Sequence, residues 1–392
     1  MMGTKITVLC NTRFPSTAAH SSYLARFCES LSAQGLEVEL VVPKRFKEIK
    51  IDPMQYYSVQ TPFRVRKIWS FDFLIFGNVL GRLAFVFQYL HFYKLVLLFF
   101  LFGSRKRIIY TMDNLGCLLT FLGYRVIFET HVGIGAYRRR MLPLLKRAEK
   151  VITVNSIIKN DFVKAGFNPE KILVAPNGVD LGIFSGGESK AQLREILKLP
   201  ADAKIVAYVG KYKTMGMDKG VDSLVAAFRL VQVQRTDAHL LIVGLSDDEK
   251  DELGKILSRE KIPMEAFTLI EHVSHVDVAK FMRASDVLVM NYPNTEYYRN
   301  FMSPMKMFEY MAARRPIVTS DLPAVREILE ESTAVFVAPD SMESLQEGIE
   351  KVLNDEGFGA RIAEQAFQKV LDLTWDKRAK RIIDFVSVNA PF

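Results

Sequence analysis

The stretch from Arg299 to Val318, RNFMSPMKMFEYMAARRPIV, contains a helix start followed at once by a buried strand. Ser303 is the predicted N-cap, and Pro304 fits the first helical position, where its missing N–H costs nothing and its fixed φ suits the turn. The closing letters PIV predict the short strand. Because a helix N-terminus offers unpaired amides and a positive dipole end, and Lys306 adds a full charge, the stretch predicts a phosphate site.

The apolar residues of this stretch support the helix. Four of them recur at helical spacing and predict a face towards the core: Met305, Phe308, Met311 and Ala312. Lys306 and Glu309 lie one turn apart on another face. A capped amphipathic helix of any α/β protein fits the same residues, so a structural and a ligand-binding interpretation both remain open.

The letters S-P-x-K-x-F-E-Y-M-A, followed by a basic pair and P-I-V, resemble the donor-site helix of the GT-B glycosyltransferases of family four. The resemblance implies that Glu309 holds the ribose hydroxyls of a nucleotide-sugar and that the helix start holds its diphosphate. Since Pro304 has no amide, Ser303, Met305 and Lys306 are the residues expected to bind the phosphates.

The totals of the chain fit a large intracellular protein. Its 392 residues are 49% hydrophobic, which suffices for two domains and argues against disorder. The three cysteines are an odd number without metal-site spacing, so a reduced, cytoplasmic protein is expected. The first residues lack the long apolar run of a signal peptide. Peripheral attachment to the inner face of the cell membrane is the alternative location.

Basic residues concentrate in the first half of the chain. Residues 1–175 hold 25 Lys and Arg against 11 Asp and Glu, or +14, and the remainder holds 27 against 33, or −6, which returns the total of +8. This asymmetry predicts either contact with an anionic membrane surface or binding of nucleic acid, and scattered solvated lysines fit it as well. The basic residues are not interleaved with aromatic residues as in known nucleic-acid modules, so no nucleic-acid partner is expected.

The first part of the chain alternates between strands and helices. A strand at 5–10, a helix at 21–34 and a strand at 38–43 form a βαβ unit and predict a parallel sheet. The first loop, NTRFPSTAAH, lacks the G-x-G-x-x-G pattern of dinucleotide sites. It resembles the R-x-P-S-x-x-A-H opening of some family-four enzymes, which implies that His20 lies near an interdomain cleft on the acceptor side. Taken alone, His20 fits an ordinary helix start.

The segment from Leu83 to Phe102, LAFVFQYLHFYKLVLLFFLF, has three possible interpretations. Only Lys94 interrupts twenty otherwise uncharged residues, so the segment is long enough to span a membrane. A membrane-spanning helix is therefore one interpretation. A buried helix that covers the sheet is the favoured one, and an interfacial helix with aromatic side chains in a bilayer is the third. One helix can satisfy the last two interpretations together.

His131 follows a buried strand, RVIFE at 125–129, so it is placed at the carboxyl end where ligands bind in open α/β sheets. A lone histidine is usually structural. ETHVGIGAY resembles the histidine motif of the family's first domain, which implies that His131 touches the donor sugar near the acceptor.

The segment PNGVD, from Pro176 to Asp180, resembles the interdomain crossing of the family. It places the boundary between a first domain of residues 1–175 and a second domain of residues 176–375. The resemblance further implies that the last helix, at 376–392, returns to the first domain. Strands are expected in the second domain at 205–209, 240–243, 268–270, 287–290, 317–319 and 335–338. The predicted fold class is α/β, with two Rossmann-like, doubly wound parallel sheets facing a cleft.

The stretch VGKYKTMGMDKGVD, from Val209 to Asp222, places Gly210 and Lys211 at a strand end and Lys219 at a helix start, with Gly216 in a mobile-looking loop between them. Two converging lysines can neutralise a diphosphate leaving group. Solvated loop lysines are an equally simple explanation. The stretch resembles the family's G-[RK]…K-G pair, which implies that Lys211 and Lys219 contact the donor diphosphate.

The backbone of Glu271, His272 and Val273 is implied by the same resemblance to hold the nucleobase. No D-x-D follows a strand and no His or Cys cluster has ligand spacing, so neither a metal nor another cofactor is expected. The family usually carries a second glutamate eight residues before Glu309, where this chain has Phe301.

The resemblance implies the function of a retaining hexosyltransferase, and the missing metal motifs predict that it is metal-independent. It would move sugar from a nucleotide-sugar donor to a glycan or lipid-linked acceptor. Phe301 supports the alternative of a catalytically silent partner subunit.

Overall fold

The computed structural model of the protein describes residues 5–46, 48–76, 81–214 and 217–387. The chain divides into two compact units. Unit 1 consists of residues 1–176 and 375–392, and unit 2 of residues 177–374. The predicted domain boundaries lie one residue away from these divisions.

Parallel strands form the centre of each unit. The strands are β1 Lys5–Leu9, β2 Glu37–Lys44, β3 Arg64–Trp69, β4 Ile108–Thr111, β5 Arg125–Thr130, β6 Lys150–Thr153, β7 Ile172–Val174, β8 Lys204–Val209, β9 Lys213–Thr214, β10 Met217–Asp218, β11 Ala238–Leu245, β12 Phe267–Glu271, β13 Val287–Met290, β14 Ile317–Ser320 and β15 Val335–Val337.

Helices connect the strands and cover the sheets. The α-helices are α1 Ala19–Ala33, α2 Pro53–Tyr56, α3 Arg82–Leu101, α4 Leu142–Leu145, α5 Ser156–Lys164, α6 Lys190–Leu197, α7 Val221–Gln234, α8 Asp247–Arg259, α9 His275–Ala284, α10 Glu296–Asn300, α11 Met305–Ala312, α12 Pro323–Arg326, α13 Met342–Asn354, α14 Glu356–Val370 and α15 Trp375–Ser387. Short 3₁₀ helices lie at Phe73–Phe76, Asn114–Leu122, Ile134–Ala136, Arg139–Met141, Pro169–Lys171, Leu181–Phe184 and Met264–Ala266.

Both sheets have the strand order of a doubly wound fold. Unit 1 has the order β3-β2-β1-β4-β5-β6-β7, and unit 2 has β12-β11-β8-β13-β14-β15. The strand order reverses between β1 and β4 in unit 1 and between β8 and β13 in unit 2. Ligands of such sheets bind at the carboxyl ends of the strands beside this reversal. The prediction of two Rossmann-like domains is confirmed.

The buried strands read as nearly continuous apolar runs, as strands covered on both faces must. In β8, for example, Ile205 to Val209 are all buried. Helix α1 begins two residues before its predicted start, and Gly35, with φ 83°, follows its end. Sequence analysis missed β3 and the small β9–β10 hairpin. Residues 388–392 of the predicted returning helix and Gly216 lie outside the described residues.

Helix α3 corresponds to the long apolar segment. One face packs on unit 1 and buries Ala84, Gln88, Phe92, Val96 and Phe100. The opposite face is exposed along the whole helix. The interpretation as a buried helix is therefore correct for only half of its surface.

Candidate active site

Two glycines let loops approach one another at the strand reversal of unit 2. Gly210 directly follows β8 with φ 140°, and a Cβ there would lie 3.0 Å from Cε and Nζ of Lys306. Gly220 precedes α7 with φ 84°, and a Cβ there would lie 2.0 Å from the carbonyl oxygen of Asn291. The Asn291 amide donates to the Gly220 carbonyl at 2.6 Å. A larger residue at position 220 would therefore clash with the Asn291 backbone, and one at position 210 would displace the end of the Lys306 side chain.

The ammonium group of Lys306 is buried at this place. The side chain is only 8% exposed, and its Nζ lies 3.7 Å from the ring centre of Tyr208 and 5.6 Å from that of Tyr292. Within the part of the chain that the structure describes, this Nζ has no hydrogen-bond partner. Burial, together with the charge of Lys219, holds the pKa of Lys306 well below its usual value. Aromatic faces compensate only in part for the lost hydration of the ammonium.

Lys211 and Lys219 extend this positive region. Burial and the charge of Lys211 lower the pKa of Lys219 to about 8. Because the charge of Lys219 in turn lowers the pKa of Lys306, the ammonium group of Lys219 lies close enough to be repelled by those of both Lys211 and Lys306. An anion bound among them would relieve this repulsion. The structure thus brings Gly210 and these three predicted residues together in unit 2.

Glu309 lies one turn after Lys306 on α11. Its side chain is 14% exposed, and its Oε1 lies 2.7 Å from Nε2 of His275. His275 is the first residue of α9, and Ser274 is the N-cap of that helix. His275 was not predicted from the sequence, because it precedes Glu309 by 34 residues and no local motif marks it.

The start of α11 differs from the prediction. Pro304, with φ −72° and ψ 130°, is the cap residue, and Met307 N–H donates to its carbonyl at 3.0 Å. The Ser303 hydroxyl accepts a hydrogen bond from the backbone N–H of Asn177 at 3.1 Å, and its carbonyl accepts one from the Asn177 amide at 2.5 Å. The N-cap prediction for Ser303 is wrong, because the first turn closes on Pro304 and the serine is bonded to another segment.

The predicted faces of α11 also need correction. Met305 is only half-buried, whereas Lys306, which was placed on another face, is buried. The reason is that Tyr208 and Tyr292 cover the Lys306 side chain from the ends of β8 and β13. Helical spacing reveals which residues share a face, but it does not reveal which neighbours cover that face.

The three residues expected at the nucleobase follow the adjacent strand β12. Glu271 ends the strand, and its carboxylate forms an exposed ion pair with Lys250 at 2.8 Å. Burial and the charge of Lys211 lower the pKa of His272, which places this ring near Lys211. Val273 packs partly against the core of unit 2. Their backbone role remains a prediction.

Unit 1 contains a buried carboxylate at its own sheet end. Glu129, on β5, is fully buried and accepts hydrogen bonds from Tyr23 at 2.8 Å, from Tyr110, and from Nη2 of Arg378 at 2.7 Å. His131 Nε2 lies 2.6 Å from the same carboxylate. Burial alone would raise the pKa of Glu129, but Arg378 and the hydrogen bond from His131 outweigh it and lower the pKa to about 2.

His20 lies beside this group. Its ring centre lies 6.1 Å from that of Tyr23, and the ring of His131 lies 5.3 Å from the same tyrosine. His20 Nε2 lies 3.1 Å from Sγ of Cys10. Burial and the charge of His131 lower the pKa of His20 to about 4, so this ring is neutral near pH 7. The structure therefore brings the two predicted histidines of unit 1 together.

Asp113 and Arg378 are residues of this region that sequence analysis missed. Asp113 follows β4 at the strand reversal, and its Oδ2 accepts from the Asn11 backbone at 2.6 Å and from Tyr93 at 2.7 Å. Arg378 comes from α15, 249 residues after its partner Glu129. No spacing rule connects residues so distant along the chain.

Known families account for both units. A profile described as Glycosyltransferase Family 4 matches residues 20–182, and one described as Glycosyl transferases group 1 matches residues 203–355. Together these matches cover most of the chain. It belongs to glycosyltransferase family 4.

Individual relatives of this family 4 protein match in part. It is 27% identical over 249 residues to an uncharacterised glycosyltransferase of Methanocaldococcus jannaschii. This alignment covers 61% of this chain and 60% of that relative. It is 25% identical over 211 residues to the phosphatidyl-myo-inositol mannosyltransferase of Mycolicibacterium smegmatis, covering 53% and 50%. The chain thus aligns with less than two thirds of the length of either relative.

Among solved structures, the protein is similar to HepE of Anabaena, determined in complex with UDP and glucose. The TM-score is 0.74, with 17% identity over 98% of this chain and 100% of the other. At this identity the likeness establishes the fold, which is GT-B with two Rossmann-like domains.

Proposed function

We propose that this family 4 protein transfers a sugar from a nucleotide-diphosphate sugar to a hydroxyl group of an acceptor. The observation that carries the proposal is the buried ammonium of Lys306, which has no hydrogen-bond partner among the described residues and lies beside Lys219. A bound diphosphate would stabilise this buried ammonium, because the anion supplies the missing hydrogen-bond partner. The complex of HepE with UDP supports a nucleotide donor.

In the proposed reaction, the bond between the anomeric carbon and the diphosphate oxygen breaks, and a bond to the acceptor oxygen forms. The departing diphosphate gains negative charge, which Lys211, Lys219 and Lys306 stabilise without a metal ion. A phosphate oxygen of the leaving group takes the acceptor proton, and the anomeric configuration is retained. Glu309 accepts hydrogen bonds from the ribose, and His275 orients its carboxylate.

His131 is proposed to contact the donor sugar. The Glu129 carboxylate is ionised, so it can only accept hydrogen bonds, and Nε2 of His131 must be the protonated ring nitrogen. Nδ1 is the ring nitrogen assigned to a sugar hydroxyl. His20 is assigned to the acceptor side. The backbone of residues 271–273 is assigned to the nucleobase, and Met305 to the phosphates.

A glycan or lipid-linked acceptor is proposed, because residues 1–175 carry the net charge of +14 that would attract an anionic lipid carrier. The name of the mycobacterial relative, a phosphatidyl-myo-inositol mannosyltransferase, supports a lipid acceptor. A catalytically silent partner subunit is the second candidate, since Phe301 stands where the family usually has a glutamate and cannot accept a hydrogen bond.

Calorimetric titration with a panel of nucleotide-sugars tests the proposal. One member should bind, and Lys219→Ala should weaken transition-state stabilisation by about 2–4 kcal/mol, seen as a loss in kcat/KM. The matched control is Lys351→Ala, an exposed lysine near the end of α13. Helix α13 begins at the carboxyl end of β15 and runs back along the sheet, so its last turn lies near the amino ends of the strands. Absence of binding across the panel would favour the silent subunit.

A further inference from the structure

Apart from Arg82 and Lys94, the exposed side chains of helix α3 are all apolar. Residues at helical spacing along this outer face have between 41% and 58% of their surface exposed: Leu83, Val86, Phe87, Leu90, Leu98 and Leu101. We call this set the outer stripe. Soluble proteins rarely leave so long an apolar row in water, and such a surface marks a contact with another apolar phase.

The inner face of α3 is fixed to unit 1 by polar contacts. The Gln88 amide donates to the Ser70 hydroxyl at 3.0 Å and accepts from the Phe73 backbone at 2.9 Å. The Tyr93 hydroxyl donates to Asp113 at 2.7 Å. By length and composition α3 could cross a membrane. In this fold it does not, because one side is covered by protein and holds these polar groups, so only the outer stripe is available to lipid.

More apolar side chains adjoin the start of the helix. The 3₁₀ helix Phe73–Phe76 packs against α3, with the rings of Phe73 and Phe87 6.0 Å apart. Ile75 and Phe76 in this helix are 52% and 44% exposed. The apolar surface is therefore wider than one helix, and it includes aromatic rings of the kind that settle at a membrane interface.

The charge around this surface is strongly positive. Between Arg64 and Arg107 the chain has eight Lys and Arg and one acidic residue, the buried Asp72. Arg64, Arg66 and Arg107 share the carboxylate of Glu39, and Lys67 pairs with Glu48, so the basic residues still outnumber the carboxylates around them. Arg82 and Lys94 on α3 and Lys106 after it are exposed. Lys94 stands within the outer stripe, where its flexible stem can lie on apolar surface while its ammonium reaches towards headgroups.

We propose that the outer stripe of α3 docks onto an anionic lipid bilayer, with the helix lying parallel to the membrane plane. Apolar and aromatic side chains enter the boundary of the acyl chains, and the surrounding basic residues meet the lipid phosphates. A second copy of the chain fits this surface less well. Pairing the stripe with itself would bring the same basic residues together and bury Lys94, whereas anionic lipids neutralise these charges.

Vesicle flotation in low salt tests the proposal. The full chain should float with vesicles of phosphatidylglycerol and phosphatidylcholine in equal parts, and not with phosphatidylcholine alone. Leu90→Glu with Leu98→Glu should reduce the bound fraction about tenfold or more, because both side chains would carry charge into the acyl region. Both sites are exposed, so thermal unfolding in solution should be unchanged.

The matched control is Ile196→Glu with Val233→Glu, two apolar residues of unit 2 with 58% and 66% exposure. This control should float like the original chain. Absence of flotation, equal flotation on neutral vesicles, or equal loss in both double variants would overturn the proposal. A dimer in sedimentation that only the α3 variant dissociates, without vesicle binding, would instead assign the stripe to a second copy. No nucleotide-sugar is needed, so the outcome is separate from that of the proposed reaction.

Discussion

Arg378 in unit 1 and Lys306 in unit 2 are both buried basic side chains near the carboxyl ends of strands, but their surroundings differ. Arg378 in unit 1 is fully buried; its Nη2 donates to Glu129, and its Nε donates to the Pro176 carbonyl at 3.0 Å. Lys306 in unit 2 is 8% exposed, and its Nζ has no hydrogen-bond partner among the described residues. Burial of charge alone therefore does not identify a functional residue. A buried charge with protein partners supports the fold, and one without them points to a ligand.

Removal of Arg378 should produce the largest effect. Arg378→Ala leaves the Glu129 carboxylate buried without its strongest partner, so we expect unit 1 to lose about 3–5 kcal/mol of unfolding free energy. Denaturant unfolding measures this loss. The double variant Arg378→Met with Glu129→Gln removes both charges and should recover a large part of it. If the double variant is as unstable as the single one, the ion pair with Glu129 is not the reason why Arg378 stabilises unit 1.

Lys306→Met should have the opposite effect on stability. The substitution replaces an ammonium that lacks a partner by an apolar chain of similar length, so unit 2 should keep its stability or gain about 1–3 kcal/mol. The rate of sugar transfer should fall about 100- to 1,000-fold, because a cation at the leaving group is lost. Denaturant unfolding and kcat measure the two effects. A strongly destabilised variant would mean that the lysine supports the fold as Arg378 does.

The pH dependence of diphosphate binding sharpens the same contrast. The pKa of Lys219 is about 8 in the free protein, and a bound anion must raise it. Affinity for UDP or its counterpart should therefore be highest below pH 8 and fall by up to about tenfold per pH unit above it, over a range in which the phosphates are already ionised. Calorimetry between pH 7 and about 9.5 measures this slope. Lys219→Arg keeps its charge and should flatten the profile, whereas an unchanged profile would exclude Lys219.

Ser303→Ala should have the smallest effect. The hydroxyl accepts from the Asn177 backbone, so its loss should cost unit 2 about 1 kcal/mol of stability. It should leave KM for the donor nearly unchanged, since the serine does not cap α11. A large rise in KM with unchanged stability would show that the Ser303 hydroxyl binds the donor phosphates.

The fold is largely predictable from the sequence, because strand and helix periodicity are local properties. Alternation along the chain predicts both sheets, and strand ends followed by Gly210 and by His131 predict where the candidate sites lie. The residues that pair with the two buried carboxylates of these sites were not predicted. His275 beside Glu309 and Arg378 beside Glu129 come from elements far along the chain, which only folding brings close.

The linear chain alone determined two alternating α/β halves, a basic first half, and lysines and a glutamate placed at strand ends and a helix start. Each of these follows from residue type and from spacing of a few positions. The tertiary structure decided that the ammonium of Lys306 is buried under aromatic rings, that Ser303 bonds elsewhere, and that α3 exposes half of its apolar surface. Burial and pairing depend on residues that are distant in sequence, so no local pattern contains them.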